Sequence, residues 1–96
     1  RPNELDKLAE NQIVKAIIVH LRSPKRDRDI ALIIERQLWE VVESNEYNSL
    51  ARCRALIYFT RRKNLNKLSE DLHAKVNGFF EKHNKIDWVK SALKRA

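Results

Sequence analysis

With 96 residues the chain can bury roughly 60–65% of its extended surface on folding, enough for one modest core and no second. Hydrophobic residues make up 43% and charged ones 34%, a globular mixture, while one Gly and two Pro leave little material for the tight turns of a sheet protein. A net charge of +7 and a pI near 9.9 predict attraction to acidic partners, whether nucleic acid, acidic peptide or anionic surface, and the single cysteine, Cys53, excludes an internal disulfide and fits a reducing compartment.

The chain opens on "RPNELDKLAE", polar and unlike a signal peptide, and a first residue other than Met is expected of a domain taken from a longer protein. Residues 4–22 place Leu5, Leu8, Val14, Ile17, Ile18 and Leu21 on one face of a first helix. Ser23-Pro24 ends it, because a proline biases the residue before it away from helical geometry, and "SPKRDRD" then offers Asp27 or Asp29 to cap a second helix. That helix carries Ile30, Ile33, Ile34, Leu38, Val41 and Val42, with Trp39 at the margin of the stripe. "ESNEYNS" breaks the pattern again and supplies Asn45, Asn48 and Ser49 as caps.

A third helix is expected over residues 49–63, with Leu50, Cys53, Leu56, Ile57 and Thr60 on its stripe. Cys53 is then a small core residue, not a nucleophile. Asn64 can end this helix and begin a fourth with Leu65, Leu68, Leu72, Val76, Phe79 and Phe80 inward, in which Gly78 costs about 1 kcal/mol relative to Ala and would permit close packing. "EKHNK" precedes a short fifth helix with Ile86, Val89 and Leu93. No repeat, low-complexity tract or linker divides the chain. The expected fold is all-α: one domain over residues 1–96, a compact antiparallel bundle of four main helices with a short C-terminal fifth.

In such a bundle the first and third loops emerge at the same end. Arg22, Pro24, Lys25, Arg26 and Arg28 would meet Arg61, Arg62, Lys63 and Leu65 there, with Glu43 and Glu46 at the opposite pole. Three readings compete for "RRK". Cations in a last turn complement the helix macrodipole. They can contact phosphates without reading sequence. With Leu65 and Pro24 as an apolar floor they can also hold an acidic peptide with an aromatic anchor.

Catalysis finds little support. His20, His73 and His83 lack metal-ligand spacing, Cys53 has no local companion for nucleophilic work, and one Gly cannot make a phosphate-cradling loop. Neither an enzyme nor a bound metal or cofactor is expected. Glu70-Asp71 reads as a helix exterior with Asp71 paired to Lys75. Tyr58 and Phe59 read as core or helix-packing residues before they read as a base-stacking platform. No stretch reaches the roughly eighteen apolar residues of a membrane span, and no apolar heptad is left over for association, so a monomer off the membrane is expected.

The stretch "LARCRALIYFTRRKNLNKLSEDLHAKVNGFF", residues 50–80, resembles the end of the N-terminal (LW) domain of the elongation factor TFIIS and its relatives, among them the integrase-binding domain of lens epithelium-derived growth factor. The family pattern is a helix ending in basic residues, a short loop and a helix whose Leu spacing leads to an aromatic, read here as Arg61-Arg62-Lys63, then Leu65, Leu68, Leu72 and Phe79 or Phe80. The resemblance implies a nuclear helical module that docks disordered acidic and aromatic peptide segments of transcription or chromatin proteins at the basic loop pole. "IERQLWEVVESNEYNSLARCRALIYFTRRKN" also resembles the central, polymerase-docking domain of TFIIS. That kinship implies a polymerase partner, and a phosphate-contacting nucleic-acid module is the other alternative.

Overall fold

The computed structural model describes the backbone of residues 4–95 and the side chains of residues 6–95, so Leu5 of the expected stripe lies outside the described side chains. Among the described residues every regular element is helical: α1 (Glu4–Arg22), α2 (Arg28–Glu43), α3 (Ser49–Thr60), α4 (Arg62–Leu65), α5 (Glu70–His83) and α6 (Asp87–Arg95). The Cα radius of gyration, 13.0 Å, is the roughly 13 Å of a folded chain near this length.

The helix ends have chemical causes. Past α1 the backbone turns through Ser23, whose Oγ accepts from the Lys25 amide at 3.3 Å. Asp27, not Asp29, caps α2: its Oδ1 accepts from the amides of Asp29 at 2.9 Å and Ile30 at 3.1 Å, two donors with no partner inside the helix. Asn48 caps α3 by accepting from the Ala51 amide at 3.0 Å, and its own backbone and side-chain N–H groups both donate to Glu10 Oε1, at 2.8 and 2.7 Å, which ties the start of α3 to α1.

The central element is α3, with α1, α2 and α6 packed around it and α6 against it most extensively. A helix enclosed this way needs more than one apolar stripe. Its buried set is Ala51, Cys53, Ala55, Leu56, Tyr58 and Phe59, and the small residues among them, with Ala92 on α6, let backbones approach closely. Leu50, expected inward, is 44% exposed. Cys53 is buried and free, as a core residue should be.

On α2 the buried face is rotated by about one residue from the expected stripe. Ala31, Glu35, Leu38 and Val42 lie inward, at spacings of four, three and four, while Ile30 and Ile33 are exposed. That rotation carries Trp39 from the expected margin into the core, 2% exposed, where it meets Phe59 and Phe79 edge-on at 5.2 and 5.5 Å between centroids. Phe79 also reaches Trp88 at 6.0 Å, so one aromatic cluster joins α2, α3, α5 and α6. Arg52 fastens the same corner, donating from Nε to the Val42 carbonyl at 2.9 Å with its guanidinium 4.5 Å above the Trp88 ring.

Three expectations for the later chain are corrected. The fourth helix does not run on from Asn64 and Leu65: α4 ends at Leu65, and α5 begins at Glu70 behind Ser69 as its N-cap. Gly78 is exposed and a Cβ built there would meet nothing within 4 Å, so it serves no close packing. Asp71 pairs across to Arg36 of α2, at 2.7 and 3.1 Å, instead of along its own helix to Lys75; Arg36 and then Ser69 hold its carboxyl well below the usual carboxylate range.

Candidate functional site

A cleft of about 620 Å³ opens where the α1–α2 connection meets the far end of α3. The connection contributes Arg22, Ser23, Pro24 and Arg26, and the start of α2 contributes Arg28, Ala31, Leu32 and Glu35. Tyr58 of α3 closes the wall, with Asn64 of α4 and Lys67 just beyond it. The cleft thus brings the α1–α2 connection together with Asn64 and Lys67, not with the basic run that follows α3. Of the expected residues, Arg22, Pro24, Arg26 and Arg28 line this cleft. Lys25, Arg61, Arg62, Lys63 and Leu65 do not; Arg62 and Lys63 are exposed, and Leu65 is half-buried against the core.

The end of α3 also differs from expectation. The helix stops at Thr60 with no cation in its last turn, because Arg61 is extended (φ −68°, ψ 127°) and Arg62 starts the short α4. The macrodipole reading of "RRK" on α3 therefore falls. Helix-terminal carbonyls are met by other donors. Ile57 O accepts from the Arg61 amide at 3.2 Å and Thr60 Oγ1 at 3.0 Å, and Tyr58 O accepts from Asn64 Nδ2 at 2.9 Å.

In the cleft wall the Tyr58 hydroxyl donates to Glu35 Oε2 at 2.7 Å, and the two residues are 3% and 7% exposed. Burial first, and then the Glu35 carboxylate, push the Tyr58 phenol well above its usual value, with Arg26 opposing the rise. The Arg26 guanidinium is itself anchored, since Nη1 donates to the Leu21 carbonyl oxygen at the end of α1. The result is a pocket lined by four exposed cations, Arg22, Arg26, Arg28 and Lys67, by Pro24, Ala31 and Leu32, and by one buried carboxylate.

Sequence reasoning missed Ser23, Ala31, Leu32, Glu35, Tyr58, Asn64 and Lys67 as cleft residues. Glu35 was detectable: it stands four residues after Ala31 and three before Leu38, a charged residue in register with the buried face. Other candidate chemistry is dispersed. Cys53 is buried, the Asp71 carboxylate is engaged by Arg36 and Ser69, and His73 Nδ1 sits 3.1 Å from Asn77 Nδ2. Among the described residues no group of three or more His, Cys, Asp or Glu comes together as a metal site would need, and no helix is long and apolar enough to cross a membrane.

Comparison with family models, with curated proteins and with solved structures finds no match. The fold and the cleft therefore define the class: an all-helical protein with a basic, partly apolar pocket between two helix connections.

Proposed function

We propose that the chain is a protein-interaction module that docks short disordered segments carrying acidic residues around an aromatic anchor. The observation that carries this reading is the composition of the cleft: Arg22, Arg26, Arg28 and Lys67 line it together with Pro24, Ala31 and Leu32. Rim cations attract and orient an acidic chain, contributing about 0–1 kcal/mol each when exposed, and an apolar ring entering the pocket supplies the larger share of affinity. The volume lies within the roughly 300–1,000 Å³ typical of sites that enclose a small ligand group. In this reading α1, α2, α3 and α5 are the main helices of an antiparallel bundle, the unit is one monomeric domain, and Lys25, Arg61, Arg62 and Lys63 extend the positive field beyond the cleft. The resemblance to the TFIIS N-terminal domain adds that the partners belong to transcription or chromatin proteins and that the module works in the nucleus.

The competing reading is phosphate contact with nucleic acid at the same pole. Glu35 in the cleft wall weighs against a phosphate entering there. Fluorescence anisotropy with acidic aromatic peptides and with unrelated DNA and RNA oligomers, repeated over a range of salt, separates the two. Peptide binding that survives physiological salt and is lost on Arg22, Arg28 and Lys67→Glu supports docking. Tight binding of nucleic acid irrespective of sequence, falling steeply with salt, together with no peptide binding, would overturn it.

A further inference from the structure

We infer that Glu35 selects the anchor of the docked segment, favouring an aromatic ring that carries a hydrogen-bond donor, Tyr or Trp, over Phe. The inference rests on the docking reading above and deepens it. An ionised carboxylate accepts at both oxygens, yet among the described residues Glu35 receives only the Tyr58 hydroxyl, on Oε2. No described residue donates to Oε1. Glu35 is 7% exposed and is one of the residues that line the cleft.

A ring that fills the cleft displaces the water available to that carboxylate. If the ring is Phe, the charge is left covered by carbon, which is unfavourable. A Tyr hydroxyl or Trp indole N–H covers the same apolar side, Pro24, Ala31 and Leu32, and returns a donor to the oxygen. Sites built to hydrogen-bond a donor reject the analogue without it far more strongly than apolar pockets reject a missing methylene. A Lys or Arg anchor would also donate, but it would enter among Arg22, Arg26, Arg28 and Lys67, whose charge outweighs one carboxylate. A neutral aromatic donor satisfies both constraints.

The test uses three fluorescein-labelled peptides, identical except for Phe, Tyr or Trp at the centre of an acidic sequence, titrated into the wild-type protein and two variants. Wild type is expected to bind the Tyr and Trp peptides at least about tenfold more tightly than the Phe peptide. Glu35→Leu combined with Tyr58→Phe removes both polar groups of the wall together and should bring the Phe peptide level with or ahead of the Tyr peptide. Should that double variant not fold, judged by its circular dichroism, Glu35→Gln replaces it and should narrow the preference at least about threefold, since a neutral amide accepts less strongly than a carboxylate. If wild type binds all three within twofold while the Arg22, Arg28 and Lys67 reversals abolish binding, docking stands and the role of Glu35 is refuted. If no acidic peptide binds wild type, both ideas fall.

Discussion

Tyr58→Phe is the sharpest probe of the wall that joins core to cleft. The ring stays and only the hydroxyl goes, so almost no cavity is created and the loss reduces to one hydrogen bond to a charged acceptor, 2.7 Å long and formed between residues 3% and 7% exposed. Hydrogen bonds to charged groups contribute about 1.5–3 kcal/mol. Because Glu35 borders the cleft, water can replace part of the bond, and the lower end, about 1.5 kcal/mol, is expected. That is a visible share of the roughly 5–15 kcal/mol that holds a domain together, and near this length it corresponds to a fall in Tm of about 6–12 °C. Urea unfolding followed by far-UV circular dichroism should show a lower midpoint with an unchanged slope. Adding Tyr58→Phe to Glu35→Leu should cost less than adding it to wild type, since the hydroxyl then has no carboxylate to serve. A single variant within about 0.5 kcal/mol of wild type would refute the claim that the pair is a working contact.

Three further outcomes follow from other parts of the fold. Gly78→Ala should stabilise by about 0.5–1 kcal/mol in the same urea assay, because the position is helical, exposed and open to a Cβ. The folded state favours the neutral Tyr58 phenol, so that contribution is complete below the usual tyrosine value of about 10 and declines as pH rises beyond it; the stability gap between wild type and Tyr58→Phe should narrow in alkaline urea titrations. Arg52→Ala should cost about 1–2 kcal/mol by removing a bond to the Val42 carbonyl and the cation over Trp88, and Arg52→Lys should not fully restore thermal stability, because an ammonium cannot spread over the ring and reach the carbonyl together.

Much of this architecture is written locally. Ser23-Pro24, Asp27 and Asn48 mark helix boundaries through chemistry that acts over two or three residues, and the sequence carries those signals openly. Packing is written less openly. Ala31, Ala51, Ala55 and Ala92 are weak signals in a hydrophobic pattern, yet all four are buried because small side chains let helices approach. The exposed Ile30 and Ile33 are stronger signals that point the wrong way, and following them turns the apparent face of α2 and sends Trp39 to the margin. Only the register of Ala31, Leu38 and Val42 corrects it. For the candidate site, the cleft residues Arg22, Pro24, Arg26 and Arg28 were legible in the sequence, whereas Tyr58 enters from the buried set of α3 and Asn64 and Lys67 from beyond the break at Arg61, which no strong helix breaker announces.

That break decides what the cations after it do. Had α3 continued to residue 63, Arg61, Arg62 and Lys63 would have sat against its negative end and been occupied in stabilising it. Instead the carbonyls of Ile57 and Tyr58 are satisfied by the Arg61 amide, Thr60 Oγ1 and Asn64 Nδ2, none of them a cationic side chain. Asn64 thus does the capping from within the cleft wall, and Arg62 and Lys63 keep exposed side chains beside it. Replacing both with Glu should leave the unfolding free energy measured in urea within about 0.5 kcal/mol of wild type, since neither the Ile57 nor the Tyr58 carbonyl loses its donor. Under the docking reading the same change should slow association of an acidic peptide severalfold in stopped-flow measurements while leaving dissociation nearly constant, the signature of charges that steer without being buried. A marked loss of stability would show that the cations hold the helix end after all. Unchanged association would remove them from the docking field and confine it to the cleft rim.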